Sequence, residues 1–195
     1  MPDTGAPWNI PYVESTDLVS DWPADSLALA NAIDAGLDAA GNAGIGSNVE
    51  QTVVTSPVSI STNTTPADIT GLSVSITPTS ASSLILVLFS IGKWDISADQ
   101  NAGLHLVRDS TEIGIATSTG NRGAATIAVR VETDAAGTAS FAFLDSPNTT
   151  SATTYKVQAS STNSATTYIN RGNQDADVFT RYRAASSITA IEVAA

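Results

Sequence analysis

Residues 83–91 read SLILVLFSI, the most apolar run in the chain. Its length suits a strand and falls far short of the roughly 20 apolar residues that cross a bilayer as a helix. Strand side chains alternate between two faces, so a run apolar throughout has to bury both. The same holds for ATIAV at 125–129. A single sandwich covers only one face, and the other then needs a covering loop or a second subunit. The second subunit is the expectation taken here.

Working outward from this run, the hydrophobic period is two. Candidate strands are QTVVT (51–55), VSI (58–60), ITGLSVSI (69–76), SLILVLFSI (83–91), GLHLVRD (103–109) and EIGIATS (112–118). They continue with AATIAVRVE (124–132), TASFAFLD (138–145), ATTYKVQAS (152–160), TTYINR (166–171) and SSITAIEVA (186–194). Thr, Ser, Asn, Gly and Pro punctuate them, and RDSTEIG (108–114) reads as a tight hairpin with Ser110-Thr111 at its tip. Many short strands without a second helix point to a mainly β, antiparallel, jelly-roll-like sandwich.

The front of the chain differs. PWNIPYVESTD (7–17) carries Pro7 and Pro11, which fix the backbone and bias their neighbours toward extended geometry. After Trp22-Pro23 a helical pattern begins, with Asp21 as its cap and Asp25 near its positive end. Trp22, Leu29, Ile33, Leu37 and Ala40 fall on one stripe, and Gly41 is a natural stop. Such a helix is marginal alone in water and needs a partner surface. NAGIGSN (42–48) reads as a linker. The chain therefore divides into an extended arm (1–20), a short helix (21–41), a linker (42–50) and a β-sandwich head (51–195).

Composition narrows the functions. Of 195 residues, 42% are hydrophobic and only 14% charged, which excludes a disordered chain or a coiled coil. The net charge of −11 and the absence of a basic stripe argue against nucleic acid or an anionic membrane as partner. With no cysteine there is no disulfide framework and no thiolate metal site. Met1-Pro2-Asp3 opens neither a basic nor an apolar segment, so no signal peptide is expected.

Candidate chemistry is sparse. His105 is the one histidine, and without a second His or a Cys it reads as an exposed or interface residue of a strand. Asp95, Asp99 and Asn101, and separately Asp175 and Asp177, could line a calcium loop, but neither stretch follows the EF-hand order, and turn chemistry explains them as well. Phosphate-binding glycine motifs are missing. No cofactor, metal or enzymatic activity is expected. Trp94, Asp95 and Asp99 are the candidate ligand-facing residues. Tyr155, Tyr168, Phe179 and Tyr182 read as packing aromatics.

PWNIPYVESTDLVSDWPADSLALANAIDAGLDAAG (7–41) resembles the N-terminal segment of many bacteriophage tail-fibre and related virion proteins, with a Pro/aromatic opening, then T-D, then a short Ala/Leu-rich helix. ITGLSVSITPTSASSLILVLFSI, LHLVRDSTEIG, FLDSPNTTSATTYKVQ and SSITAIEVAA look like the terminal β domains of such proteins. The resemblance implies a homotrimer. Three copies of Leu29, Ile33 and Leu37 would bury one another around an axis, and Trp8, Ile10, Tyr12 and Trp22 would anchor the arm to other virion proteins. It further implies location in the virion and an outward-facing head that meets a host-surface glycan or protein. A capsid decoration protein of the cement or head-fibre kind is the alternative, and a lectin or carbohydrate-active head is a third reading. No catalytic residues come with the resemblance.

Overall fold

The computed structural model describes residues 22–42 and 45–194. Helix α1 (Trp22–Asn42) precedes eleven strands: β1 (Ile45–Val54), β2 (Val58–Thr62), β3 (Ala67–Ile76), β4 (Leu84–Ile96), β5 (Gln100–Arg108) and β6 (Thr111–Ile113), then β7 (Ile127–Val131), β8 (Gly137–Asp145), β9 (Thr153–Ser161), β10 (Ala165–Ile169) and β11 (Ser186–Val193). Each expected strand has its counterpart, and the helix lies within one residue of its expected bounds.

The strands form two antiparallel sheets facing one another, so the protein is a mainly β sandwich. The first sheet runs β1-β11-β4, with β8 on the opposite edge of β4. The 13-residue β4 is long enough to take two partners along one edge. Leu84–Ser90 pair with β11, and Trp94–Ile96 pair with β10, which in turn pairs with β2. Between these two partners the segment Ala184–Ala185 passes across β4 at Gly92. A side chain at Gly92 would collide with the Ala185 carbonyl oxygen, so only glycine allows the crossing. The second sheet runs β3-β9-β5, and β6 and β7 share the far edge of β5.

The inner faces show the two-residue period directly. Ile85, Val87, Phe89 and Ile91 of β4 are buried, as are Ile188 and Ala190 of β11. Opposite them lie Leu72, Val74 and Ile76 of β3, Leu104 and Leu106 of β5, and Tyr155, Val157 and Ala159 of β9. Burial of this apolar set, at about 25 cal/mol per Å², is the main favourable term in folding.

Two polar clusters fix the sandwich at its seams. Tyr155 is fully buried, and its hydroxyl donates to Asp145 Oδ2 at 2.7 Å, joining β9 to β8 across the sheets. Arg108 Nη1 donates to both oxygens of the same carboxylate at 2.9 Å. Burial, then the Asp145 bond, pushes the Tyr155 hydroxyl far above the usual phenol range. Near the start of β1, Glu192 is 1% exposed and accepts from Thr79 N, Thr79 Oγ1 and Asn48 Nδ2 at 2.7–2.9 Å. Burial alone would raise its pKa, but hydrogen bonds from Thr79, Ser83 and Asn48 hold it down, to about 2.

The structure corrects three expectations. The segment 42–50 is not a linker: Asn42 ends α1, and β1 already begins at Ile45. Gly46 and Ser47 suggest flexibility, but the strand is held by its ladder to β11 and by the Asn48–Glu192 bond. EIGIATS forms a strand only as far as Ile113. Gly114 then adopts φ +59° under the rings of Phe141 and Phe143, and the chain leaves the edge of β5. The hairpin tip falls one residue earlier than expected, at Asp109-Ser110, with Asp109 at φ +53°.

Tyr155→Phe removes one hydrogen bond to a charged, buried acceptor and leaves the ring in place. It is expected to lower stability by about 1.5–3 kcal/mol. Urea unfolding should show an earlier midpoint with an unchanged slope.

Candidate functional site

The residues named from sequence do not converge on one site. Trp8, Ile10 and Tyr12 lie outside the described residues, as does the whole arm 1–20. Trp22 and Leu37 lie in α1. Leu29 is half-buried, while Ile33 is 44% and Leu27 62% exposed, so part of the helix's apolar surface is open to water.

Trp94 and Asp95 are not ligand-facing. β4 continues past Ile91 to Ile96, and a register shift between Ile91 and Trp94 turns the indole inward, where it is 3% exposed. Asp95 is 1% exposed and accepts backbone N–H bonds from Ile96 and Asn173, both at 2.7 Å. It is a bracket for the following loop. Asp99 is exposed and accepts from Thr133 N at 2.7 Å, a bond that holds its carboxyl below the usual range. Among the described residues no group of three or more His, Asp or Glu is placed to hold a metal ion.

The outer face of the first sheet is the most unusual surface. Its rows run Val49–Ile191–Leu86–Leu144 and Gln51–Thr189–Leu88–Ala142, followed by Val53–Ser187–Ser90–Ser140. Val49, Val53, Leu88 and Leu144 are 37–52% exposed. None of these twelve positions carries a charge, in a chain of net charge −11. The doubly apolar run 84–89 turns Leu84, Leu86 and Leu88 outward, the first two half-buried and the third exposed. ATIAV behaves differently: it sits at the sheet edge, with Val129 44% exposed and Val131 carrying the inward contact.

On the outer face of the second sheet, His105 is buried at 4% exposure, against the expectation of an exposed or interface histidine. Its Nε2 lies 2.8 Å from Ser160 Oγ, and its Nδ1 lies 3.1 Å from Glu112 Oε1. Nδ1 faces the Glu112 carboxylate at this distance without a well-aligned hydrogen bond. The three side chains come from β5, β6 and β9, and the pair His105–Ser160 borders a recess of about 440 Å³ lined largely by Gly, Ala, Ser and Thr. Burial lowers the His105 pKa more than Glu112 raises it. The imidazole is thus neutral at neutral pH and ties three strands together. A glutamate–histidine–serine order is also that of a hydrolytic relay, in which the carboxylate faces Nδ1 and the serine faces Nε2.

A third region closes the far end of the first sheet. Asn170, at φ +65° and fully buried, donates to Val54 O (2.7 Å) and Ser56 O (3.1 Å) and accepts from Ser186 Oγ (2.6 Å). Ala184 N donates to Asn170 O at 3.0 Å and pinches the base of loop 171–183. Arg183 makes a two-point contact with Asp175 at 2.8 and 3.2 Å, and Lys93 Nζ donates to Tyr182 O at 2.9 Å. Arg183 is the main reason the Asp175 carboxyl lies below its usual range. Of the aromatics read as packing, Tyr155 is in the core and Tyr168 is half-buried beneath Arg171 (4.5 Å). Phe179 and Tyr182 are exposed, so neither packs in the core of the chain. The signal was in RGNQDADVFTRYR (171–183), which concentrates three of the chain's six arginines around two aromatics.

Searches against protein-family models and curated proteins find no match for the chain.

His105 gives a test by acidity. Its folded pKa lies below the unfolded value of about 6.5, so the unfolded chain gains the proton first and stability falls as pH drops below about 6.5. His105→Gln is expected to flatten the melting temperature between pH 7.5 and 5, while wild type declines. A second decline, below about pH 4.5, is expected in both proteins as Glu192 protonates. Differential scanning fluorimetry across pH checks both.

Proposed function

We propose that this protein is a structural component of a bacteriophage virion, a small tail-fibre or adsorption protein. It works as a homotrimer through binding and performs no bond chemistry. Its N-terminal arm attaches to other virion proteins, α1 and the first sheet meet their counterparts in sister copies, and the sandwich head faces the host.

The observation that carries the reading is the uncharged apolar outer face of the first sheet. Two chains of net charge −11 repel one another, and they approach most cheaply through surfaces that carry no charge. The face offers Val49, Leu86, Leu88, Leu144 and Ile191 for mutual burial, and large exposed apolar patches mark contact surfaces. It begins on β1, and only residues 43–44 separate β1 from α1, whose Ile33 and Leu27 are also uncovered. Helix and sheet face therefore favour one continuous self-contact. The arm–helix–head order and the sequence resemblance supply the virion part of the reading.

Leu88→Glu and Leu144→Glu place carboxylates on the proposed contact. Light scattering should report about three times the 19.9 kDa chain mass for wild type and monomer for the double variant, with unchanged circular dichroism. A wild-type monomer overturns the trimer. Separately, deletion of residues 1–20 should leave a folded head that no longer joins particles. Normal incorporation defeats the anchoring role. A copy number of a handful of trimers per particle supports a tail location, whereas scores of trimers assign the protein to capsid decoration.

A further inference from the structure

Loop 171–183 is built in an unusual way: polar contacts anchor it to its scaffold, while its largest apolar side chains face water. Asn170, Asp95, Lys93 and the Asp175–Arg183 pair hold the backbone from below. Arg181 N donates to Val178 O at 3.0 Å, which sets a turn at the tip. On that turn Val178 is 54%, Tyr182 66% and Phe179 86% exposed. The two rings meet edge-on with centroids 5.7 Å apart. An exposed aromatic pair on an anchored loop is a common anchor for ligands.

The charges around it are equally specific. Lys93, Arg171, Arg181 and Arg183 lie in or against this loop, four of the chain's eight basic residues. Arg171 and Arg183 are engaged with Asp175. Arg181 and Asp177 make no side-chain hydrogen bond or ion pair among the described residues. Both line a shallow recess of about 690 Å³ together with Phe179 and Tyr182. A stable protein partner needs about 800 Å² on each side, much more than three apolar side chains of one loop supply.

We infer that loop 171–183 is a binding site for an acidic saccharide. The rings of Phe179 and Tyr182 take the apolar C–H face of a sugar, and Asp177 accepts from its hydroxyls. The Arg181 guanidinium meets a carboxylate or phosphate substituent with paired N–H donors. The place of the loop adds to this. β1 begins two residues after α1 and ends at Val54, whose carbonyl Asn170 holds. The loop is thus at the end of β1 away from the helix, the length of a ten-residue strand, about 33 Å. Outward presentation of the site rests on the proposed N-terminal attachment. Saccharide binding does not, and it is measured on the isolated chain.

The test is binding of the full chain to a microarray of carboxylate- and phosphate-bearing bacterial oligosaccharides beside their neutral counterparts. Wild type is expected to retain a subset of the acidic ones. Phe179→Ala with Tyr182→Ala should weaken binding at least tenfold, and Arg181→Ala should abolish the preference for acidic over neutral sugars. All three positions are on the loop surface, and unchanged circular dichroism confirms the fold. No retained saccharide, equal binding by the variants, or a preference for neutral sugars overturns the site. A change in the light-scattering mass of the aromatic double variant also overturns it, since the rings would then belong to a contact between copies.

Discussion

The whole sandwich depends on β4 being bonded along both edges. It joins β11 and β8 in its first part and hands the same edge to β10 in its second, so removing it would separate the first sheet into unconnected pieces. Its inward residues, from Ile85 to Ile91, belong to the same buried core as those of β3 and β9, while its outward leucines contribute to the uncharged face. The hand-over works because Gly92 admits the crossing segment Ala184–Ala185, and that segment leads directly into the base of loop 171–183. Core, candidate self-contact and candidate ligand loop therefore meet at one strand.

Much of this was legible in the sequence because strand period is a local property. SLILVLFSI and ITGLSVSI declare both their conformation and their buried faces without reference to a partner. The excess of apolar residues on β4 also said correctly that one inner core would not use them all. What the sequence could not convey was long-range pairing. Asn48 and Glu192 are 144 positions apart, and their contact, with the ladder to β11, turns a glycine- and serine-bearing stretch from a linker into a strand. Trp94 was misjudged for a related reason: an irregularity beside Gly92 reverses which face it occupies, and no local pattern records such a shift.

His105 and Phe179 illustrate opposite errors. A lone polar residue between leucines reads as exposed, yet β6 and β9 supply Glu112 and Ser160 and make burial tolerable. An aromatic in a loop reads as packing, yet loop 171–183 is anchored through its polar contacts and leaves Phe179 outside. In both cases the deciding quantity is the hydrogen bonding of neighbours, which composition does not reveal.

The strand order also carries a consequence for synthesis. β11 lies between β1 and β4 in the first sheet, although among the described strands it is translated last. Until it emerges, β1 has no ladder and the rows Val49–Ile191–Leu86–Leu144 do not exist as a surface. Nascent chains on one messenger RNA therefore cannot display the complete proposed contact face before β11 has joined. Self-contact through this face, as proposed, would be timed by the order of translation, which keeps the full uncharged surface from meeting a wrong neighbour too early.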